Sequence, residues 1–267
     1  MNQLTSKFNS FSRPLILLAF FALTFSLSTV AASRDFYQIQ VYRLTDKVQE
    51  EKLDNYLRNA YLPALHRAGI QRVGVFKPIE SDKNYGKCVY IWMPFKSLSH
   101  FEKINKALEK DTEYQTRGIN FLGAPHDQPP FIRKESTLLK AFKDAPKFFI
   151  PIYSTAPSER IYELRSYEGA TENLFRKKVK MFNEEGEAKL FKELDFNALF
   201  FAEVISGNTM PNLMYLTTFE NMASHDEHWK SFGAHPKWKK MAALDEYKNT
   251  VSHSVITLLH PTDYSDF

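Results

Sequence analysis

The apolar positions change period several times along the chain, and each change marks an element. Tyr37, Ile39 and Val41 alternate with Gln38, Gln40 and Tyr42, which is the period of a β-strand. Leu53, Leu57, Ala60 or Tyr61, Ala64 and Ala68 then recur every three to four residues, predicting a helix that Gly69 can end. Strands are expected on either side of the turn-rich stretch 80–86, and Ser97 is a good N-cap for a second helix. A closing strand is expected around Thr137–Phe142. The second half repeats the succession. A strand at Tyr162–Tyr167 leads into a less regular helix through Leu174, Met181, Phe182, Leu190, Phe191 and Leu194, weakened at Gly186. Strands flank the turn-rich 206–211, a helix starts at Asn221, and a last strand falls near Ser254–Leu259.

Sliding the chain over itself by about 125 residues aligns the two halves. Tyr37–Tyr42 falls on Tyr162–Tyr167, and Val89–Met93 on Met214–Thr218. Leu65–Phe76 falls on Leu190–Ala202, and Asp111–Tyr114 on His235–Trp238. Ordered matches at one offset indicate a duplicated unit of strand, helix, strand, strand, helix, strand. The expected organisation is a first domain at 33–142, a linker at 143–157 with three prolines, and a second domain at 158–267. Each would be a ferredoxin-like (βαββαβ) α+β domain. Because a bare sheet face is not stable in water, the two are expected to pack sheet on sheet as a dimeric α+β barrel within one chain.

If the apolar set of each first strand faces the helices, the opposite set points between the sheets. That set comprises Gln38, Gln40, Tyr42, Cys88, Tyr90 and Trp92 from the first half. From the second half it comprises Glu163, Arg165, Tyr167, Leu213, Tyr215 and Thr217. Aromatic groups mixed with a few polar fixtures suit a small organic ligand, with Tyr42, Tyr90, Trp92, Glu163, Arg165, Tyr167 and Tyr215 as its candidate contacts.

Composition narrows the picture. Forty-three per cent hydrophobic residues over 267 positions exclude whole-chain disorder. With 35 basic against 31 acidic side chains, no concentrated basic surface is implied, and nucleic acid is not an expected partner. Cys88 is the only cysteine, so no internal disulfide or multi-cysteine metal site can form, and its thiol is expected to pack as a core residue. Residues 1–32 read as an export signal. Lys7 and Arg13 precede or flank an apolar run at Leu15–Leu27, no acid occurs before Asp35, and Val30 and Ala32 have the spacing of a cleavage site. The expected location is periplasmic or secreted, without stable membrane insertion once the signal is removed; a retained anchor is the alternative.

The strand Ile161–Tyr167, the segment Met214–Phe219 and His235-Pro-Lys-Trp238 together resemble the NIPSNAP family. The resemblance is strongest over roughly 160–260 and weaker over 36–115. It implies a dimeric α+β barrel-like fold. Bacterial members of the family generally have no established reaction. In the first half Gln38 and Gln40 stand where the strand motif has its Glu and Arg, so only the second half keeps the charged pair.

Glu163 and Arg165, two apart on a strand, leave the same face. Such a pair can bind an anionic ligand or hold a base, or it can be a structural ion pair. His225, His228 and His235 raise a metal reading. Against it, Met222, His225, Trp229 and Phe232 form one amphipathic stripe, and His235 precedes Pro236 as a helix-capping residue would. No metal site is assigned. No glycine-rich phosphate loop or nucleophile elbow occurs, and no cofactor is assigned. The function expected is therefore binding of a small organic ligand between the two sheets, with self-association open. The alternatives are a cofactor-poor oxygenase or haem-degrading type of oxidoreductase, and a protein-interaction module.

Overall fold

Local chemistry sets the ends of the elements. Ser97 Oγ accepts from the His100 amide at 3.0 Å and Asn221 Oδ1 from the Ser224 amide at 3.0 Å, each capping a helix start. Gly69 takes a positive φ of 103° where the first helical segment stops, and Gly186, at 91°, breaks one predicted helix into two. The computed structural model describes residues 33–267; the predicted export signal at 1–32 lies outside the described residues. The first half runs β1 (Phe36–Arg43), α1 (Lys47–Tyr56), a π-helical stretch (Leu57–Tyr61), α2 (Leu62–Arg67), β2 (Gly74–Pro78), β3 (Cys88–Phe95), α3 (Leu98–Lys110), α4 (Thr112–Leu122) and β4 (Arg133–Ala141). The second half runs β5 (Ile161–Glu168), α5 (Glu172–Asn183), α6 (Glu187–Glu193), β6 (Phe200–Ser206), β7 (Asn212–Phe219), α7 (Met222–Ala234), α8 (Pro236–Ala242) and β8 (His253–Pro261). Among the described residues no helix is long and apolar enough to cross a membrane.

The expectation of two tandem ferredoxin-like domains is overturned by the strand pairing. All eight strands form one closed antiparallel barrel in the order β1-β3-β2-β8-β5-β7-β6-β4. Phe76–Pro78 of β2 hydrogen-bonds along Leu259–Pro261 of β8, and Leu138–Ala141 of β4 runs along β6 with a register shift after Leu138. The physical reason lies in the edges. Two separate four-stranded sheets would leave β2, β4, β6 and β8 with unpaired amides and carbonyls, and joining them removes every edge.

The faces of β1, β5 and β7 are also the reverse of the expectation. Tyr37, Ile39, Tyr162, Leu164 and Leu216 fill the barrel together with Phe76, Trp92, Leu139, Phe200 and Leu259. Tyr42, Leu213 and Tyr215 instead belong to the layers between the barrel and the helices. Trp92 and Tyr90 on β3 do point inward. An eight-stranded barrel has an interior just wide enough for side chains, so the apolar set fills it and the polar set moves to the helix layer, where partners exist. The void among Ile39, Phe76, Trp92, Leu164 and Phe200 is only about 10 Å³, at the limit of one water molecule. It offers no room for the organic ligand expected between the sheets.

Candidate functional site

The chemically richest part of the molecule lies between the outer face of β5 and β7 and helices α5 to α7. Alternation along β5 sends Glu163, Arg165 and Tyr167 to this face, and Arg165 pairs across the ladder with Tyr215. From the cap at Asn221, α7 presents His225 and Trp229 one turn apart on one side, aimed at the same carboxylate.

Glu163 is 1% exposed, and both of its oxygens are engaged. Oε1 accepts from Arg165 Nε at 2.7 Å and Nη2 at 2.6 Å. Oε2 accepts from Trp229 Nε1 and lies 3.1 Å from His225 Nε2. Arg165 Nη1 donates to the Tyr167 hydroxyl at 2.9 Å, which also accepts from the Tyr215 hydroxyl at 2.9 Å. The guanidinium sits 3.6 Å from the centre of the Trp229 ring, a cation–π contact. Burial opposes the charge of Arg165, but Tyr215, Tyr167 and Glu163 outweigh it and push its pKa upward. Burial pushes the Tyr215 phenol well above its ordinary value. Because Glu163 takes the fork of Arg165, an anionic ligand at this arginine would have to displace a buried carboxylate.

A second buried pair adjoins the first. Lys178 Nζ on α5 lies 2.8 Å from Glu187 Oε2 on α6, both side chains almost fully enclosed. The turn at Gly186 brings Glu187 back against the helix that carries Lys178. The ammonium also sits 4.8 Å from the centre of the Phe182 ring and 5.7 Å from that of Tyr167, so the two ion pairs are linked through Tyr167. Desolvation raises the Glu187 pKa above 4.5, with Lys178 and then Arg165 opposing.

The His225 side chain is 12% exposed, against 1% for Glu163. Its Nδ1 is 2.8 Å from Asp226 Oδ1, so the imidazole bridges two carboxylates. Burial lowers its proton affinity, but the bonds to Glu163 and then Asp226 outweigh burial and raise the pKa above 6.5. An open groove of about 640 Å³ is lined in part by Ile161, Asn221, Met222 and His260, the second and third of these at the start of the helix that carries His225. The arrangement can accept and return a proton at Nδ1, on the side of the exposed Asp226, while Nε2 stays bonded to Glu163, whose charge holds the imidazolium.

The seven residues expected to form one ligand site thus occupy three places. Glu163, Arg165, Tyr167 and Tyr215 are together. Tyr42 packs edge-on to Phe121 and Phe131 beneath the first-half helices. Tyr90 and Trp92 lie inside the barrel, on the other side of the sheet. The layer in the first half that corresponds to the charged one is uncharged. There Gln38 Nε2 donates to Ser136 Oγ at 2.8 Å, and Gln40 Nε2 lies 3.2 Å from Gln38 Oε1 and 3.3 Å from the Tyr61 hydroxyl. His228 and His235 do not join His225. His228 Nδ1 bonds the Ser224 carbonyl and His235 Nδ1 accepts from the Lys237 amide, capping α8. Among the described residues no group of three or more His, Cys, Asp or Glu side chains is placed to hold a metal ion. Sequence reasoning missed Lys178, Glu187 and the role of Trp229 and His225 as partners of Glu163. The only signal present was the four-residue spacing of His225 and Trp229.

Residues 162–266 match the NIPSNAP family model, which gives the second half a NIPSNAP-like domain. The weaker likeness over 36–115 falls outside the matched span. No curated protein matches the chain. Among solved structures, a candidate monooxygenase from Lactobacillus acidophilus has a TM-score of 0.57 at 10% identity, covering 85% of this chain and 94% of that one. An anthrone oxidase-like protein has a TM-score of 0.52 at 7% identity, covering 87% and 93%. A candidate monooxygenase from Fusobacterium nucleatum has 0.51 at 11%, covering 86% and 93%. At these identities the likeness is one of fold.

Proposed function

We propose that the charged layer of the second half is the reactive site of a cofactor-poor oxidoreductase acting on an aromatic compound with an acidic C–H group. The observation that carries this reading is His225: an imidazole of raised proton affinity, near solvent, backed by a carboxylate buried to 1% exposure. His225 would take the proton from the substrate carbon, and Glu163 would hold the imidazolium. The electrons left on the carbanion would pass to dioxygen. For an anthrone the balance is CH2 plus O2 giving C=O plus water. The barrel likeness to proteins described as monooxygenases and as anthrone oxidase-like supports the reading at the level of fold. The groove at the start of α7, lined by Asn221 and Met222, is the proposed approach for a flat substrate.

The test is oxygen uptake and quinone absorbance with 1,8-dihydroxyanthrone, measured above the uncatalysed rate. His225→Gln should lower the enzymatic rate by about 10²–10⁴-fold, the span of general-base catalysis. A native protein no faster than buffer, or a variant as fast as native, overturns the reading.

The rate should also rise with pH, because the neutral imidazole is the base. The limb should lie above pH 6.5, since Glu163 and Asp226 raise the pKa. Asp226→Asn should move it to lower pH. The sign for stability is the opposite: the contribution of the His225 ion pairs is complete below pH 6.5 and is lost as pH rises through the raised pKa. A titration followed by proton resonances of the imidazole checks both.

The location of the protein is part of the same proposal. Residues 1–32 read as a cleavable export signal, which places the mature chain in the periplasm or outside the cell. N-terminal sequencing of the protein from its host should begin near residue 33; an intact Met1 in the cytosolic fraction overturns this.

A further inference from the structure

A groove of about 570 Å³ is formed by the segment before β1, the loop after α2, the end of β3, the start of α3 and the segment following β4. Its volume falls in the range of small-molecule sites. The floor is apolar: Ile70 and Phe95 are buried, and Phe148 and Ile150 line an apolar wall. Phe148 packs edge-to-face on Trp92, with ring centres 5.3 Å apart, so this wall rests directly on the barrel interior.

The rim carries cations. Lys147 is neutralised by Asp35 at 2.6 Å. Arg72 donates through Nη1 to the Asp266 backbone carbonyl at 3.0 Å, and among the described residues no carboxylate pairs with Arg72 or Lys96. The His100 ring accepts from the Lys96 amide at 3.2 Å. Burial, then the nearby Lys96 and Lys103 ammoniums, hold that imidazole below its ordinary pKa, in keeping with a locally positive potential.

We infer that this groove binds a small amphipathic carboxylate, its apolar body against Ile70, Phe95, Phe148 and Ile150 and its charge between Arg72 and Lys96. An apolar floor beneath two cations without counter-charges recognises that chemistry. A neutral aromatic gains only the floor, and an inorganic anion gains only the rim. The site is separate from the His225 layer, which belongs to the other half of the chain.

Calorimetric titration of the whole protein with naphthalene-2-carboxylate tests the assignment, with 2-naphthylmethanol as the neutral comparison. The acid should bind and the alcohol should bind at least about tenfold more weakly. Lys96→Gln and Arg72→Gln should each weaken the acid by about tenfold or more. Both side chains are exposed, so folding should be unchanged, and a thermal melt verifies this. Ile150→Ser, on the apolar wall, should weaken both compounds together. His225→Gln should leave binding intact. Equal affinity for acid and alcohol, no binding of the acid at millimolar concentration, or a loss on His225→Gln with none on Lys96→Gln would each overturn the inference.

Discussion

Replacing Lys178 with methionine is expected to lower folding stability by about 3–5 kcal/mol, the cost of leaving one member of a buried ion pair alone. Glu187 is 2% exposed and Lys178 Nζ, 2.8 Å away, is the cation that meets its carboxylate directly. Arg165 acts on it only from a greater distance, as a weaker influence on its pKa. The double variant Lys178→Met, Glu187→Leu removes both charges and fills the site with apolar atoms, so it should recover most or all of the loss. A double-mutant cycle by urea unfolding separates the two outcomes. The pH dependence has a definite sign. Burial already raises the Glu187 pKa in the folded protein, and loss of Lys178 raises it further. A raised carboxyl favours the fold in its protonated form, so its contribution is complete below pH 4.5 and lost as pH rises through the raised value. The single variant should therefore regain part of its stability on acidification towards pH 4.5. A cost below about 1 kcal/mol would mean that water reaches the pair.

Trp92→Ala should be comparably severe, about 3–5 kcal/mol, because the barrel interior is packed and cannot collapse around the space. Trp92 is 2% exposed and meets Tyr37, Phe148, Phe200 and Phe267 at ring-centre separations of 5.3–6.0 Å. Its indole N–H has no partner among the described residues, so Trp92→Phe removes an unpaired donor along with part of the ring and should cost much less. The space left by alanine would be apolar, and indole added in solution should raise the melting temperature of Trp92→Ala but not of the native protein. A small loss from alanine would show that the barrel wall relaxes inward.

Much of this protein was legible in its sequence, and the parts that were not share one cause. Ser97, Asn221, Gly69 and His235 act on residues within one turn of themselves, so each can be recognised without knowing the fold. The alternation in β1 and β5 was equally clear as a period. What alternation cannot say is which set faces inward when both faces of a strand are covered. Gln40 and Glu163 look like lining for a cavity, yet they lie in the helix layer because a narrow barrel accepts apolar side chains and the helices carry the partners that polar ones need. The bonds between Glu163 and His225 or Trp229 span more than 60 positions, and neither residue type at either place announces the other.

The sequence by itself determined the elements, their caps, the repetition of their order, the C-terminal family motif and the charge difference between Gln38–Gln40 and Glu163–Arg165. These depend on residue type and near-neighbour spacing. Only the tertiary structure decided that β2 closes on β8 and β4 on β6, that the barrel is filled, and that the charged residues meet α5, α6 and α7 outside it. Edge pairing and the meeting of distant side chains follow from how much space the closed sheet leaves, a property of all eight strands together.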